Sequence, residues 1–583
     1  MSHTVSDVLV KKLVSWGVRR IYGLVGDSLN PVMEALQGEE RLRWIHVRHE
    51  ETAAFAASAE AQLTGHPAVC CGSCGPGNMH LINGLYDAHR SGAPVFALAS
   101  HIPTSAIGSA YFQETHPTHF FSECTRYLEL VSQPEQVRPV VSAALRHAVA
   151  EHGVGMVVLP GDVAALPLEM SKDEEGEEAQ DGAPAPELAP PGEPAPAAVA
   201  ALAEKLNAAR SVAFLCGIGC TGAQKELVEL AQKLGAPVAY TLRAKDVMEQ
   251  DNPCAVGMTG LLGWGDATHA LHEAELLVLW GTDFPYAGFL PSHGRVVQVD
   301  RDGAALGRRT RICLGIQADV GCTVRQVLPL VSVARGDEFL SRSLTRHGKK
   351  ISKLQAYVRE VDESKPIRPE YVTRLVSDNA EPDAVFTIDT GTPVIWAARY
   401  LQAFGRRRLL GSFRHGSMAC ALAMAIGAKA AFPSRQVIAL CGDGGLSMLP
   451  GDLLTLVQEG LNVKAFVYNN SALDFVAMEQ QIAGMRPVGT KLLPTRYDRM
   501  AQAMGLESWR VEKPTDAPAA VKKWLAAPGP ALLDVVVDSH ALALPPDISL
   551  LQALGFTKSL GRSLVHGELD LVKRVLFGNR KLL

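Results

Sequence analysis

The chain carries the stretch RQVIALCGDGG (residues 435–445), followed by DLLTLVQEG (452–460) and VKAFVYNN (463–470). The first and third pieces are short apolar runs and the middle piece has the apolar spacing of a helix. The sequence therefore predicts two parallel strands joined by a helical crossover. Asp443 and Asn470 stand just beyond the ends of these two strands. Because open parallel sheets bind ligands outside the carboxyl ends of their strands, we expect a binding site there.

Asp443 and Asn470 offer a carboxylate and an amide oxygen, which are ligands that a hard divalent cation such as Mg²⁺ prefers. Gly444 and Gly445 beside them let a ligand approach the backbone closely, as a diphosphate bound next to such a cation requires. The alternative is that GDGG is an ordinary turn after a strand and that the two asparagines only begin a loop. The pattern by itself leaves both interpretations open.

The same alternation of short apolar runs and amphipathic stretches occurs twice more, in residues 5–168 and 201–333. It predicts an α/β fold of three doubly wound parallel-sheet domains. Residues 171–200 contain eight acidic residues and six prolines, a composition typical of a linker. We therefore divide the chain into an N-terminal domain (1–170), the acidic linker (171–200), a central domain (201–335), a third domain (336–535) and a C-terminal tail (536–583).

Composition excludes several classes of protein. At 583 residues the chain is too long for one small domain. Its 56 Lys and Arg against 61 Asp and Glu give no basic excess, so nucleic acid is not expected as the main partner. Eleven scattered cysteines and an N-terminus without a signal-peptide apolar core favour a cytoplasmic location. No apolar run reaches the roughly 18–20 residues that span a bilayer, so we expect any membrane contact to be peripheral.

The GDG and NN pair at this spacing resembles the diphosphate signature of thiamine diphosphate-dependent enzymes. The resemblance implies thiamine diphosphate as cofactor, with Asp443, Asn470 and the carbonyl of Ala472 as Mg²⁺ ligands in the third domain. It also implies a glutamate in the N-terminal, pyrimidine-binding domain, whose carboxyl group hydrogen-bonds to the aminopyrimidine ring and activates the cofactor. Glu50 in WIHVRHEE (44–51) matches this glutamate. The alternative for Glu50 is a surface charge at the start of a helix.

Further segments match cofactor-binding positions of the same family. Gly416, Ser417 and Met418 stand where the family places a bulky apolar side chain beneath the cofactor, although a methionine in an ordinary core is the alternative. In the central domain, three segments resemble those that bind FAD in family members with a flavin, and each can also be an ordinary loop. The residues concerned are Gly257, Met258, Thr259, Gly260, Gly281, Thr282, Asp283, Phe284, Pro285, Gln298 and Asp300.

A GxGxxG motif at 217–222 follows another predicted strand. It lacks an acidic residue at the end of the next strand, where a dinucleotide ribose would be bound, so we expect no NAD site there.

Longer stretches such as RHEETAAFAA (48–57) and SCGPGNMHLINGLYDAHR (73–90) resemble the branch of the family that oxidises pyruvate through FAD. The resemblance implies oxidative decarboxylation of pyruvate to acetate and CO₂, electron transfer to a membrane quinone, and a homo-oligomer, with a tetramer expected. Five residues match the substrate side of that branch, namely Phe112, Gln113, Phe475, Val476 and Glu479. A plain loop and an amphipathic helix are the alternative for them. Asp474 and Arg414 depart from the Gly and Asn of the branch.

The C-terminal tail places Val565, Leu569, Val572 and Leu576 on one helical face, with five basic against two acidic residues from 559 to 583. This pattern predicts an interfacial amphipathic helix. The resemblance implies that the helix binds a phospholipid surface, which would associate the protein peripherally with the inner face of the cell membrane. A surface helix docked on its own domain is the alternative.

Two other activities remain open within the family, those of acetolactate synthase and of a phosphate-dependent pyruvate oxidase. A non-catalytic relative is disfavoured, because Glu50, Asp443 and Asn470 are all present.

Overall fold

The computed structural model describes residues 3–169, 192–282, 284–292, 295–332, 336–358 and 362–541, together with residues 558, 559 and 562. These residues form three α/β units, each built on a mainly parallel sheet. The predicted fold class is confirmed. The predicted tail helix, Asp283 and most of the predicted linker lie outside the described residues. The linker is described from residue 192, and a helix begins within it at Pro196.

The first unit has a parallel sheet whose central strands are buried on both faces. Its strands are β1 (Arg20–Gly23), β2 (Arg43–His46), β3 (Ala68–Gly72), β4 (Val95–His101), β5 (Tyr127–Leu130) and β6 (Val154–Pro160). Its helices are α1 (Val5–Ser15), α2 (Asn30–Gln37), α3 (Glu50–Thr64), α4 (Pro76–Ser91), α5 (Pro117–Phe120), α6 (Val137–Ala150) and α7 (Gly161–Ala164). The strand order is β2-β1-β3-β4-β6-β5. In β4, Ala97 and Ala99 enter one apolar core while Phe96 and Leu98 enter another, as a doubly wound sheet requires.

The second unit has a sheet of order β10-β9-β8-β7-β11-β12-β13, in which only β10 runs antiparallel among the described strands. Its strands are β7 (Val212–Cys216), β8 (Val238–Tyr240), β9 (Ala255–Met258), β10 (Trp264–Gly265), β11 (Leu276–Trp280), β12 (Val296–Asp300) and β13 (Leu314–Gln317). Its helices are α8 (Pro196–Ala208), α9 (Gln224–Leu234), α10 (Lys245–Met248), α11 (Ala267–Glu273), α12 (Val320–Val327) and α13 (Glu338–Leu354).

Helix α13 packs on the second unit, although the sequence places the boundary before it, at residue 336. The Arg346 guanidinium donates to both carboxylate oxygens of buried Asp266 at 2.9 Å, and the His347 ring lies 5.4 Å from the ring of Trp264. These contacts favour a boundary after α13.

The third unit repeats the strand order of the first. Its strands are β14 (Val385–Ile388), β15 (Arg408–Gly411), β16 (Val437–Gly442), β17 (Val463–Asn469), β18 (Glu507–Val511) and β19 (Ala531–Val536). They form a parallel sheet of order β15-β14-β16-β17-β19-β18. Its helices are α14 (Pro369–Asn379), α15 (Thr392–Tyr400), α16 (Cys420–Ala431), α17 (Asp443–Leu446), α18 (Leu453–Gln458), α19 (Asp474–Ile482), α20 (Tyr497–Ala503) and α21 (Ala517–Leu525).

Helices α3 and α16 join the first and third units through one shared apolar core. Both are rich in alanine, and their backbones approach closely at Gly427, where an added Cβ would lie only 2.0 Å from the carbonyl oxygen of Ala56. Small residues therefore set the spacing of these two helices. Among the described residues, no helix combines the length and the apolar character needed to cross a membrane.

Candidate active site

Asp443 lies at the carboxyl end of β16, as the sequence predicts, and begins helix α17. Its carboxylate is buried; Oδ1 accepts a hydrogen bond from the backbone N–H of Gly444 at 2.8 Å. Oδ2 accepts from the backbone N–H groups of Asn470 at 3.1 Å and Ser471 at 2.6 Å. Burial raises the pKa of Asp443 to about 6, against the opposing effect of these N–H donors. The fold thus brings Asp443 to the start of the Asn470 loop.

The Asn470 loop supplies further oxygen atoms next to Asp443. Asn470 Oδ1 accepts from the backbone N–H of Ala472 at 3.1 Å, which fixes the side-chain amide. A carboxylate and an amide oxygen from two hydrogen-bonded residues form a set of hard oxygen ligands that suits Mg²⁺. The predicted ligand residues Asp443, Asn470 and Ala472 are therefore neighbours, although the sequence separates the first two by a whole crossover.

The glycines after Asp443 pack so closely against their neighbours that a side chain at either position would collide with them. An added Cβ at Gly445 would lie 2.2 Å from Asp389 Oδ2, and one at Gly444 would lie 2.6 Å from Leu473 Cδ2 and 3.3 Å from Met418 Cε. Met418, from the loop after β15, therefore lies against the turn that follows Asp443. Gly416 in the same loop adopts a φ of 81°, and the Ser417 backbone N–H donates to Ser412 Oγ at 3.0 Å.

Glu50 begins helix α3 shortly after β2, and its side chain is buried. Glu50 Oε2 lies 2.9 Å from His80 Nδ1. Glu50 Oε1 lies beside Gly77, where an added Cβ would be 3.0 Å from that oxygen. The first turns of α4 therefore pack onto the Glu50 carboxyl group. Sequence reasoning missed His80, whose signal is its position one helical turn after Pro76 at the start of α4.

His49, Glu50 and His80 are close enough to suggest a metal site, since their ligand atoms all lie within 4.8 Å of one another. However, the two imidazole rings are stacked, with centroids 4.3 Å apart and planes inclined by 25°. Imidazole nitrogens bind metals in the plane of the ring, so two stacked rings do not direct their nitrogens at one ion. The arrangement instead fixes the Glu50 carboxyl group through His80.

Gln113 joins this cluster, whereas its neighbour Phe112 lies on the surface. Gln113 Oε1 accepts a hydrogen bond from Cys74 Sγ at 3.3 Å. An added Cβ at Gly75 would lie 2.8 Å from Gln113 Cβ, so the two backbones are in close contact. Phe112 is 78% exposed in the single chain.

Asn83 of helix α4 links the first unit to the Met418 loop. Its Nδ2 donates to Glu51 Oε1 and to Ser417 Oγ, both at 2.8 Å, and its Oδ1 lies 2.8 Å from His415 Nε2. Sequence reasoning missed Asn83. No local pattern marks it, because its partner Ser417 lies more than three hundred residues away.

The segments predicted to bind a flavin lie in or just beyond the carboxyl-terminal parts of β9, β11 and β12 of the second sheet. Gly260, after β9, contacts Phe284, after β11, since an added Cβ at Gly260 would lie 2.9 Å from Phe284 Cζ. Thr282 is buried beside Gly217, and Pro285 follows Phe284 in the same loop. Gly257, Met258 and Thr259 end β9 and begin the loop that carries Gly260. The structure thus brings together the predicted flavin segments at the ends of β9 and β11.

Gln298 and Asp300 of β12 have partners within the protein. Gln298 is buried; Nε2 donates to the carbonyl oxygens of Thr282 at 3.3 Å and Ala305 at 3.1 Å, while Oε1 accepts from the Gly307 backbone N–H at 2.9 Å. Its amide holds the β11 and β12 loops together. Asp300 Oδ1 accepts from the Asp302 backbone N–H at 3.0 Å.

The GxGxxG turn after β7 belongs to the same crevice. Gly281 adopts a φ of 54°, and an added Cβ there would lie 2.6 Å from the Cα of Gly219. Strands β7 and β11 are neighbours at the point where the strand order reverses direction, which is where doubly wound sheets bind their ligands. Gly217 and Gly219 are therefore candidate site residues, although the sequence predicted no NAD site here because no acidic residue ends the next strand.

Three domain families match the chain. Residues 389–535 match "Thiamine pyrophosphate enzyme, C-terminal TPP binding domain", residues 3–122 match the N-terminal TPP binding domain of the same enzymes, and residues 199–327 match their central domain. These matches cover more than half of the chain.

The chain belongs to the thiamine pyrophosphate enzyme family.

Individual relatives of this thiamine pyrophosphate enzyme differ in their named activities. The chain is 32% identical to pyruvate oxidase of Lactiplantibacillus plantarum over 91% of its own length and 88% of that protein. It is 29% identical to the large subunit of acetolactate synthase isozyme 1 of Escherichia coli, over 93% and 95% of the two chains. It is 48% identical to an uncharacterized 42.6 kDa protein of Pseudomonas amyloderamosa, over 59% of this chain and 85% of that protein.

Helix α19 follows the Asn470 loop in this thiamine pyrophosphate enzyme and carries the last three predicted site residues. Phe475 is half-buried against the core of the third unit, while Val476 and Glu479 are exposed. Asp474 begins the helix. Burial, with the nearby carboxylates of Asp538 and Asp443, raises the pKa of Asp474 to about 7. One face of α19, which carries Val476 and Glu479, is therefore exposed to solvent shortly after the Asn470 loop.

Proposed function

We propose that this enzyme decarboxylates pyruvate oxidatively to acetate and CO₂, with thiamine diphosphate held through Mg²⁺, and passes the electrons through FAD to a membrane quinone. This is the activity of a quinone-reducing pyruvate dehydrogenase. The observation that carries the proposal is the joint between the second unit, which carries the predicted flavin segments, and the third unit, which carries the Asp443 turn. Asp246, in α10, accepts hydrogen bonds at 3.0 Å from the Arg408 side chain and the Leu409 backbone N–H of β15.

This joint matters because β15 leads into the Met418 loop. A second contact runs from Arg399 of α15 to the carbonyl oxygen of Gly263, at 3.4 Å, in the loop between β9 and β10. The second unit is therefore packed on the third unit near the start of β15 and the end of α15. Such packing fixes the two units relative to each other, as electron transfer between cofactors bound to them requires.

When bound, thiamine diphosphate supplies the electron sink that decarboxylation of a 2-keto acid needs. Asp443 and Asn470 provide hard oxygen atoms for a cation that holds the diphosphate, and Met418 supplies an apolar contact over the Gly444 turn. Glu50 provides a buried carboxyl group that can hold a proton at Oε1 while His80 fixes Oε2. Gln113 and Glu479 offer polar groups for the substrate, and Phe112 and Val476 offer apolar ones.

Two related activities are the alternatives, and the names of relatives favour them. Pyruvate oxidase and acetolactate synthase are both relatives of nearly full length. Acetolactate synthesis would join two molecules of pyruvate, and a phosphate-dependent oxidase would release acetyl phosphate. The products therefore separate the three activities.

We also propose a homo-oligomer, with a tetramer expected, and peripheral attachment to the inner face of the cell membrane through the tail. Phe112 at 78% and Val476 at 43% exposure are apolar side chains that a neighbouring subunit would cover. Of the tail, Ser559 Oγ and Arg562 Nη1 donate to the carbonyl oxygens of Met485 and Gly484, both at 2.7 Å. These two residues of the tail thus lie beside the loop that follows α19.

The decisive experiment measures pyruvate-dependent reduction of a soluble quinone analogue by the purified full chain with thiamine diphosphate, Mg²⁺ and FAD, with and without phospholipid vesicles. Acetate, acetolactate and acetyl phosphate are quantified in the same reactions. We expect acetate as product and faster quinone reduction with vesicles. Acetolactate formed without quinone reduction would contradict the proposal, as would a strict requirement for phosphate with acetyl phosphate as product.

A further inference from the structure

The loop between β4 and α5 carries Phe112 and Gln113, and two carboxylates hold its backbone. At its start, Asp162 accepts from the Thr104 backbone N–H at 3.0 and 3.1 Å and from Thr104 Oγ1 at 2.6 Å. Further along, Glu114 Oε1 accepts from the backbone N–H of Gly108, and Oε2 accepts from that of Tyr111 at 3.1 Å. The Glu114 backbone N–H donates to the Tyr111 carbonyl oxygen at 2.9 Å. Glu114 therefore closes the loop on itself.

The backbone that Glu114 holds is one that most side chains disfavour. Gly108 has a φ of 86°, Ala110 of 58° and Gln113 of 63°. Alanine and glutamine rarely adopt a positive φ, so such a conformation persists only where the surroundings stabilise it. Hydrogen bonds from backbone N–H groups to a carboxylate are strong, and the Glu114 carboxylate accepts two of them within this short loop.

The loop conformation decides where Gln113 lies. With its positive φ, Gln113 packs its backbone on Gly75 and turns Oε1 toward Cys74 Sγ at 3.3 Å. Gly77, two residues further, lies against Glu50 Oε1. A series of contacts thus leads from Glu114 through Gln113 and Gly75 to the first turn of α4, which lies against Glu50. Glu114 makes no hydrogen bond to Glu50 among the described residues, so we expect it to act on Glu50 only through the loop.

We propose that Glu114 is a positioning residue for the substrate side of the site, which shapes residues 108–113 so that Gln113 reaches the Cys74–Gly77 turn. The proposal rests on the proposed function, because it gives Gln113 a role beside the substrate. The hydrogen bonds that Glu114 makes among the described residues all lie within its own loop, so cofactor affinity should not depend on it.

The test compares the holoenzyme with its Glu114→Gln variant, in which one of the two carboxylate acceptors becomes an amide donor. We expect the KM for pyruvate to rise about tenfold, as for the loss of one charge-assisted hydrogen bond. We expect kcat, the affinity for thiamine diphosphate and the thermal midpoint to stay close to those of the wild type. Glu129→Gln, an exposed carboxylate on β5, is the matched control and should change none of these. An unchanged KM, or equal losses in all four quantities, would overturn the proposal.

A second measurement separates action through Gln113 from a general effect on the loop. If Glu114 acts through Gln113, then Glu114→Gln should raise KM less than about threefold when Gln113 is already alanine, because coupled residues are not additive. A full tenfold rise in the Gln113→Ala background would contradict the proposed route.

Hydrogen exchange tests the same inference without activity. Amide exchange at Gly108 and Tyr111 should be faster in Glu114→Gln than in the wild type and unchanged in Glu129→Gln. If exchange rises as expected while the wild type fails to oxidise pyruvate, the proposed function fails and the positioning of the loop stands. If exchange does not change, the positioning role fails whatever the activity.

Discussion

The first and third sheets have the same strand order and carry different chemistry at equivalent strand ends. When each is numbered along its own sequence, both read 2-1-3-4-6-5. After the second strand, one has Glu50 and the other has the Met418 loop. After the third strand, one has the turn of Gly75 and Gly77, and the other has Asp443.

The difference lies in what surrounds each acidic group. The Glu50 carboxyl group has a histidine partner and a glycine against its other oxygen, which suits the handling of a proton. The Asp443 carboxylate accepts hydrogen bonds from three backbone N–H groups, which fix its orientation as an oxygen ligand for a cation. The shared topology therefore decides where the acidic groups lie, and the local partners decide what each can do.

The largest expected effect follows from removing the oxygen donors of the third unit. Asp443→Ala should lower the affinity for thiamine diphosphate and Mg²⁺ by more than about 100-fold, since even outer-shell partners of a metal ligand are worth about 10–100-fold. Calorimetric titration of the cofactor in the presence of Mg²⁺ measures this loss, and a chelator added to the wild type should reproduce it. If cofactor binding survives the substitution, Asp443 is not the binding group that the contrast with Glu50 requires.

Glu50→Gln should separate proton handling from binding. We expect a fall in kcat of about 10²–10⁴-fold, the usual value of a general acid–base group, because glutamine cannot exchange a proton. Cofactor affinity should change far less than in Asp443→Ala. Steady-state kinetics give kcat, and the same titration gives the cofactor affinity. A parallel loss of affinity would show that Glu50 mainly binds the cofactor.

The glycines of the two turns should differ in their tolerance of a side chain. At Gly445 an added Cβ would meet Asp389 Oδ2 at 2.2 Å and a backbone nitrogen at 3.3 Å, whereas at Gly77 the nearest atom is Glu50 Oε1 at 3.0 Å. Gly445→Ala should therefore lower the free energy of unfolding by about 1–3 kcal/mol, as overpacking does. Gly77→Ala should cost less stability and chiefly reduce kcat. Denaturant unfolding compares the variants, and equal stability losses would refute the distinction.

The smallest effect concerns a buried carboxyl group outside both turns. Asp87 of α4 is fully buried, and this burial raises its pKa to about 6. Between about pH 4 and pH 6 the folded protein binds a proton at Asp87 that the unfolded chain has released, so stability falls as pH rises through this range. Asp87→Asn should flatten that part of the curve of thermal midpoint against pH and raise the midpoint at pH 8 relative to pH 5. An unchanged slope would show that Asp87 stays ionised in the folded protein.

Much of the fold could be predicted because its signal is local. Strands buried on both faces read as continuous apolar runs, and residues at their ends are visible as breaks in those runs. Asp443 and Asn470 could be paired from the sequence because two successive parallel strands end at the same edge of a sheet. The central GxGxxG turn was visible too, but its partner Gly281 was not, since strand order decides that contact.

The sequence by itself determined the three α/β units and the strand ends that carry Glu50, Asp443 and Asn470. Only the tertiary structure decided that His80 holds Glu50, that Asn83 bonds to Ser417 and that Glu114 closes the loop of Gln113. It also placed helix α13 on the central sheet. The physical reason is that apolar periodicity reports how one segment meets its core, whereas hydrogen bonds between distant segments depend on strand order and helix packing, which no single segment contains.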